Sequence, residues 1–81
     1  MEKPPIRIGL AAQLTGKQAD LGIQLRNGVQ LAVDEINASG GINGRNLELS
    51  VEDDLGTPQG AKDAQNKLID KGVVAIIGHF T

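Results

Sequence analysis

The spacing of apolar residues changes four times along this chain, and this alternation constrains the fold more than any other feature. Strand-like apolar runs occupy Ile6–Ala12, residues 47–51 and residues 73–77. Between them, apolar residues recur every three or four positions over residues 21–36 and again over residues 58–71, which is the spacing of a helix with one buried face. Strands that alternate with helices predict an α/β fold with a parallel sheet.

Local signals mark the ends of the two predicted helices. Thr57 offers a hydroxyl cap, and Pro58 follows at the first helical position, where its missing N–H costs nothing. Gly40 and Gly41 end the first helix, because glycine readily adopts the left-handed conformation that closes helices. The spacing predicts inward faces made of Leu25, Val29, Ala32, Val33 and Ile36 in the first helix and Ala61, Ala64, Leu68 and Ile69 in the second.

The strand patterns and the handedness of crossovers predict the sheet order. Crossovers between parallel strands are almost always right-handed. If the connection from the second strand to the third runs in the opposite direction to the connection from the first to the second, the two helices therefore lie on opposite faces of the sheet. The second strand alternates apolar and polar residues and suits an edge with one buried and one wet face, whereas the third is apolar on both faces. We therefore expect a three-layer parallel sheet in the order 2-1-3 with helices on both faces, formed by residues 1–81 as the beginning of a larger domain.

Composition argues against several classes of function. The net charge is −2 and Phe80 is the single aromatic residue, which argues against nucleic-acid binding. The chain has no cysteine, so disulfides and thiolate metal sites are excluded. The apolar runs are far too short to span a membrane, and the first five residues do not form a signal peptide. We expect no cofactor and no metal.

Two groups of polar residues are candidates for chemistry. Asp53 and Asp54 end the second strand, where α/β sheets often bind ligands, and they are either polar residues near the start of the next helix or ligands of a cation. The cation interpretation predicts a flavodoxin-like or phosphoryl-transfer enzyme domain. His79 is the only histidine, so it has no second histidine with which to form a metal site, and either a structural hydrogen bond or a ligand contact suits it.

Several motifs together resemble one family over almost the whole chain. They are RIGLAAQLTG, GVQLAVDEINASGGINGRNLEL, DD and VVAIIGHFT, and the most specific part is AVDEIN followed by GGING. Helix amphipathy alone requires neither Asn37 nor both glycines. In these motifs the chain closely resembles the leucine/isoleucine/valine-binding proteins, the type I periplasmic substrate-binding proteins of branched-chain amino acid ABC transporters.

The resemblance implies a function and a set of site residues. It implies a two-lobed receptor that binds an aliphatic amino acid without catalysis, delivers it to an ABC transporter permease and works in the periplasm or at the cell surface. This chain would be the beginning of the first lobe. Leu21 matches a position near the pocket that is often aromatic, and His79, Phe80 and Thr81 match the entrance to the loop that grips the solute.

The same interpretation predicts how the chain behaves by itself. One incomplete lobe is expected to bind amino acids weakly or not at all. The third strand is expected to present an unpaired apolar edge, which favours a homodimer by edge pairing or exchange of an element.

Overall fold

The computed structural model describes residues 3–78. In chain order its elements are β1 (Ile6–Ala12), α1 (Ala19–Ala38), β2 (Leu47–Asp53), α2 (Pro58–Asp70) and β3 (Ala75–Ile77). The strands form one parallel sheet in the order β2-β1-β3. The predicted order of elements and of strands is confirmed, although α1 begins two residues earlier and β3 is shorter than the apolar runs indicated.

β1 lies at the centre of the sheet and pairs along both of its edges. Its seven residues pair in register with β2, from Ile6 with Leu47 to Ala12 with Asp53. On the other side, Leu10 pairs with Ile77 at the carboxyl end of the shorter β3 ladder. Successive side chains of a strand point to opposite faces, so both faces of β1 have to be covered.

α2 covers one of those faces. Ala11 packs with Ala64 and Leu68 of α2, and the three side chains are at most 2% exposed. A Cβ atom at Gly9 would lie 2.9 Å from the Cδ1 atom of Leu68, so glycine at this position lets the leucine reach the strand. Val73 extends the same apolar cluster towards β3.

α1 covers the opposite face. Leu10 and Ala12 alternate with Ala11, so they point away from α2, and both are buried, as is Val33 of α1. The predicted three layers with helices on both faces are thereby confirmed. α1 is 20 residues long, yet no helix within residues 3–78 is apolar enough over such a length to cross a membrane.

Asn37 joins the end of α1 to the start of β2. Its amide group donates to the carbonyl oxygen of Leu47 at 2.9 Å and accepts from the Leu47 N–H at 2.8 Å. A Cβ atom at Gly41 would collide with the carbonyl oxygen of Arg45, so the turn after the helix needs glycine there. These contacts explain residues that helix amphipathy does not require.

Thr57 caps α2 as its sequence predicts. Its hydroxyl oxygen accepts a hydrogen bond from the Gly60 N–H at 2.9 Å, and Pro58 occupies the first helical position. A Cβ atom at Gly60 would collide with the carbonyl oxygen of Asp54, so the first turn of α2 lies directly against the end of β2.

Burial differs from the sequence prediction in both outer strands. Apart from Glu48, β2 has no exposed residue on either face, because α1 and α2 both contact it, and Glu52 is held by Lys71, the residue after α2, with an N–O distance of 2.7 Å. β3 is not buried on both faces: Ile76 packs against the cluster of α2, whereas Ile77, which points to the other face, is 37% exposed, and Val74 just before the strand is 74% exposed.

The inward faces of the helices are also narrower than predicted. Ile69 is 55% exposed because the buried stripe of α2 follows positions 60, 64 and 68, and the next residue turns about 100° away from it. Ala32 and Ile36 are exposed for a similar reason, since α1 turns its buried residues Gly22 and Val33 towards the sheet.

Leu68 and Ile69 therefore make a matched pair for testing the core. We expect Leu68→Ala to lower the free energy of unfolding by about 2–5 kcal/mol, because it leaves a cavity against Gly9 and Ala11. Ile69→Ala removes a similar side chain from an exposed position and should cost roughly 0.5 kcal/mol or less. Urea denaturation of the chain measures both, and equal losses would contradict the packing described here.

Candidate functional site

The carboxyl ends of the three parallel strands meet at one edge of the sheet. Loop 1 (residues 13–18) follows β1 and loop 2 (residues 54–57) follows β2, while Gly78 begins the segment after β3. The chain crosses from β1 to β2 in one direction and from β2 to β3 in the other, so a crevice is expected between the segments that follow β1 and β3. This edge is the candidate site.

Asp53 holds loop 1 and loop 2 together. Its Oδ1 atom accepts from the N–H of Leu14 at 3.0 Å and from the N–H of Leu55 at 2.8 Å. Its Oδ2 atom accepts from the hydroxyl of Thr15 at 2.8 Å. One carboxylate thus fixes backbone or hydroxyl donors from both loops.

The same hydrogen bonds determine how Asp53 titrates. Partial burial raises the pKa of its carboxyl group, whereas hydrogen bonds from Leu14, Leu55 and Thr15 lower it by more in total. The pKa of Asp53 therefore lies below its ordinary value, and the carboxylate stays ionised through the neutral and mildly acidic range.

Asp54 shapes loop 2 from inside. Its side chain is nearly buried, with the residue 3% exposed, and its Oδ1 atom accepts from the Gly56 N–H at 2.9 Å. Its backbone N–H donates to the carbonyl oxygen of Ala12 at 2.9 Å. Both aspartates therefore build the turn that precedes α2. Of the two interpretations drawn from the sequence, this supports the one in which they are polar residues near the start of the helix.

This arrangement does not favour the cation site that the two acidic residues suggested. Both oxygens of Asp53 already accept hydrogen bonds, and Asp54 directs an oxygen to the loop backbone. Within residues 3–78, no three histidine, cysteine, aspartate or glutamate residues are grouped so as to hold a metal ion.

Two exposed leucines lie at this edge. Leu21, in the first turn of α1, is 57% exposed, and Leu55 in loop 2 is 56% exposed. The residues that follow them, Gly22 and Gly56, both lie against Gln13: a Cβ atom at Gly22 would collide with the Gln13 carbonyl oxygen and one at Gly56 with its side-chain amide. Each leucine is therefore next in sequence to a glycine that contacts Gln13 of loop 1.

Leu55 was missed by the sequence analysis. Its φ angle is +59°, in a region that costs a leucine energy and is more often occupied by glycine or asparagine. The hydrogen bond from its N–H to Asp53 holds it there. The signal that could have revealed it is an apolar residue at the centre of a turn flanked by aspartates and glycine, where polar residues are usual.

The remaining candidates from the sequence, His79, Phe80 and Thr81, lie outside the described residues. The structure does place their predecessor: a Cβ atom at Gly78 would collide with the carbonyl oxygen of Ala11. The segment after β3 therefore begins in close contact with β1, next to the crevice. The structure thus brings Leu21 to the same edge as the start of this segment.

Comparison with known proteins gives a consistent family. A model of the family described as periplasmic binding protein matches residues 5–81. The Leu/Ile/Val-binding protein BraC3 of Rhizobium johnstonii is 46% identical over 76 residues, which make up 94% of this chain and 21% of that protein. The chain thus spans about a fifth of the length of such relatives.

Solved structures share the fold. The branched-chain amino acid transporter substrate-binding protein LivJ of Streptococcus pneumoniae, in complex with isoleucine, superimposes with a TM-score of 0.88 at 36% identity, over 93% of this chain and 22% of that one. A fatty acid ABC transporter substrate-binding protein of Thermomonospora curvata gives a TM-score of 0.84 at 36% identity, over 90% of this chain and 18% of that one.

The lowered pKa of Asp53 predicts how stability depends on pH. As the pH falls, the unfolded state binds a proton at Asp53 before the folded state does, because the folded pKa is lower. The stability that the Asp53 carboxylate contributes is therefore complete above the ordinary pKa of aspartate and is lost as the pH falls through the folded pKa, from about pH 5 downwards. Asp53→Asn should flatten the acid limb of the profile of stability against pH. At pH 7 it should lower the free energy of unfolding by about 1–2 kcal/mol, because the lost hydrogen bonds are partly exposed. Urea denaturation between pH 3 and about 7 measures this.

Asp70→Asn is the matched control, because Asp70 is an exposed carboxylate in the last turn of α2. It should leave the acid limb of the stability profile unchanged. If Asp53→Asn leaves the same limb as steep as in the unsubstituted chain, the role assigned to the Asp53 hydrogen bonds is wrong.

Proposed function

Because the chain belongs to the periplasmic binding protein family, we propose that it forms part of the solute-binding component of an ABC transporter. The proposed solutes are branched-chain or other aliphatic amino acids. The chain supplies one side of the binding site, and the protein that contains it binds its solute without chemical change. BraC3 is named a Leu/Ile/Val-binding protein, and LivJ is a substrate-binding protein of a branched-chain amino acid transporter.

One observation carries the proposal: two exposed aliphatic side chains, Leu21 and Leu55, lie at the carboxyl edge of the sheet, each next in sequence to a glycine that contacts Gln13 of loop 1. An amino-acid site needs polar groups for the carboxylate and the ammonium and an apolar surface for the side chain. Leu21 provides apolar surface at the edge where such sheets usually bind ligands, and Leu55 adds to it from loop 2, on the other side of loop 1 from the crevice. An aliphatic solute suits them better than a charged or strongly polar one.

The polar contacts are assigned to the segment after β3. On the pattern of the family that the sequence resembles, this segment supplies hydroxyl and backbone groups to the solute. Thr81 is proposed to contribute its hydroxyl, with His79 and Phe80 at the entrance to the loop. The close contact between Gly78 and Ala11 supports this assignment, since it starts the segment beside the crevice.

The proposed receptor is not an enzyme and works in the periplasm or at the cell surface, where it delivers its solute to a transporter permease. The family description and the names of the relatives support this setting. The second candidate, a phosphoryl-transfer domain with Mg²⁺ at Asp53 and Asp54, predicts saturable Mg²⁺ binding. A calorimetric titration that showed such binding, with loss of it in Asp53→Asn, would favour the second candidate.

The chain can be tested in a two-lobed relative. In a chimera, residues 5–81 replace the matching segment of BraC3 from R. johnstonii, and calorimetry measures binding of leucine, isoleucine, valine and alanine. We expect saturable binding of at least one branched-chain solute by the chimera and no saturable binding by the 81-residue chain itself. A chimera that binds none of the four while remaining folded would contradict an aliphatic amino acid as the solute.

Leu21→Ala in this chimera tests the apolar surface. Loss of an aliphatic contact of this size should weaken branched-chain binding by about tenfold, since burying such a side chain is worth roughly 1.5–3 kcal/mol and the contact is partial. Leu31→Ala is the matched control: Leu31 is 61% exposed on α1, well away from its first turn, and its loss should leave the Kd unchanged.

We also propose that the chain by itself pairs with a second copy along β3. Val74 donates its N–H to Arg7 of β1 at 2.8 Å, so the N–H groups of Ala75 and Ile77 alternate to the outer side of the strand. Val74, the residue before β3, adds an exposed apolar side chain near this edge. The opposite edge of the sheet is protected by charge, with Glu48 exposed on β2, so β3 is the favoured edge for pairing.

A lysine on this edge tests the pairing. We expect the chain to sediment as a dimer at high micromolar concentration and Ala75→Lys to sediment as a monomer, because a charged side chain at an exposed strand edge disfavours pairing. Leu31→Lys places the same charge on α1 and should remain a dimer. A monomeric unsubstituted chain at the highest soluble concentration would overturn the proposal.

A further inference from the structure

Gln13 is the first residue after β1, and it lies against three glycines, Gly16, Gly22 and Gly56, of the two loops and α1. Its carbonyl oxygen lies so close to Gly22 of α1 that a Cβ atom there would collide with it. Its side chain extends in the other direction, towards loop 2. Gln13 therefore lies at the point where loop 1, loop 2 and the first turns of α1 meet.

The side-chain amide of Gln13 occupies a slot between two glycines. A Cβ atom at Gly56 would lie 2.6 Å from its Cδ atom and 2.9 Å from its Nε2 atom, and one at Gly16 would lie 2.8 Å from the same nitrogen. These distances are shorter than real Cβ contacts, so a side chain at either position would require the amide, the flexible end of Gln13, to move. The amide thus fills the space that side chains at positions 16 and 56 would take, one wall of the slot coming from each loop.

We propose that Gln13 is a positioning residue of the solute site, whose amide keeps loop 1 seated against loop 2; the proposal rests on the proposed function. β1 lies between β2 and β3, so loop 1 has loop 2 on one side and the crevice on the other. Seating loop 1 against loop 2 therefore determines how wide the crevice is. Asp53 binds the backbone of Leu14 in the same loop, and Gln13 adds a steric contact beside it.

The contact has a distinctive energetic signature. Gln13→Ala empties the slot, whereas Gly56→Ala places a methyl group where the amide lies. In the double variant the methyl group occupies a slot from which the amide has been removed. The effects of the two substitutions on the solute Kd and on stability should therefore be far from additive. The strain of alanine at the φ angle of +68° of Gly56 is present with and without Gln13 and cancels in the cycle.

The test is a double-mutant cycle in the chimera described above, read as solute Kd and as stability in urea. We expect Gln13→Ala to weaken binding about five- to tenfold, Gly56→Ala to weaken it by at least as much, and the double variant to be no weaker than Gly56→Ala alone. Gln13→Met, which keeps the length of the side chain, should restore the Kd to within about twofold if shape positions the loop.

Matched controls separate positioning from general destabilisation. Gln24→Ala makes the same change on the exposed side of α1, and Gly44→Ala places alanine at a similar φ angle of +79° with only ordinary contacts; neither should change the Kd. Additive losses, or Gln13 variants that alter stability but leave the Kd unchanged, overturn the positioning role. An unsubstituted chimera that binds no solute instead overturns the proposed function itself, and with it the role of Gln13.

Discussion

The structure depends on the close packing of two helices against opposite faces of one central strand. Gly9 and Ala11 are small enough to let Leu68 of α2 reach β1, while Leu10 and Ala12 are buried on the side of α1. A larger residue at position 9 would move α2 outward, and with it the cap at Thr57 and the turn before it. The geometry of the carboxyl edge therefore depends on the small size of the side chains in β1 that face α2.

The carboxyl edge is organised by contacts among its loops. Asp53 collects donors from both loops, Asp54 closes the turn before α2, and Gln13 fills the gap between two glycines. Such contacts keep a polar loop ordered without a large core beneath it. They also hold Leu55 in a backbone conformation that leucine does not prefer, which is the kind of local cost found at functional sites.

The described residues of this edge combine hydrogen-bonded carboxylates with exposed aliphatic side chains. Asp53 and Asp54 hold the loops through hydrogen bonds, and Leu21 and Leu55 expose aliphatic side chains at the same edge. A receptor has to hold its solute firmly and release it unchanged, which calls for ordered loops and apolar surface instead of activated groups. The isoleucine-bound LivJ and the fatty acid transporter component both share this part of the fold.

The sequence by itself determined the elements, their order and the sheet order, because apolar spacing, the Thr57–Pro58 start and crossover handedness are local or general rules. It also pointed to Leu21 and to Asp53 and Asp54 as residues of interest. Only the tertiary structure decided that β3 is half exposed, that Ile69 faces solvent and that Asp53 joins two loops. Those outcomes depend on which surfaces meet, and residues 39 positions apart, such as Leu14 and Asp53, come together only when the sheet has formed.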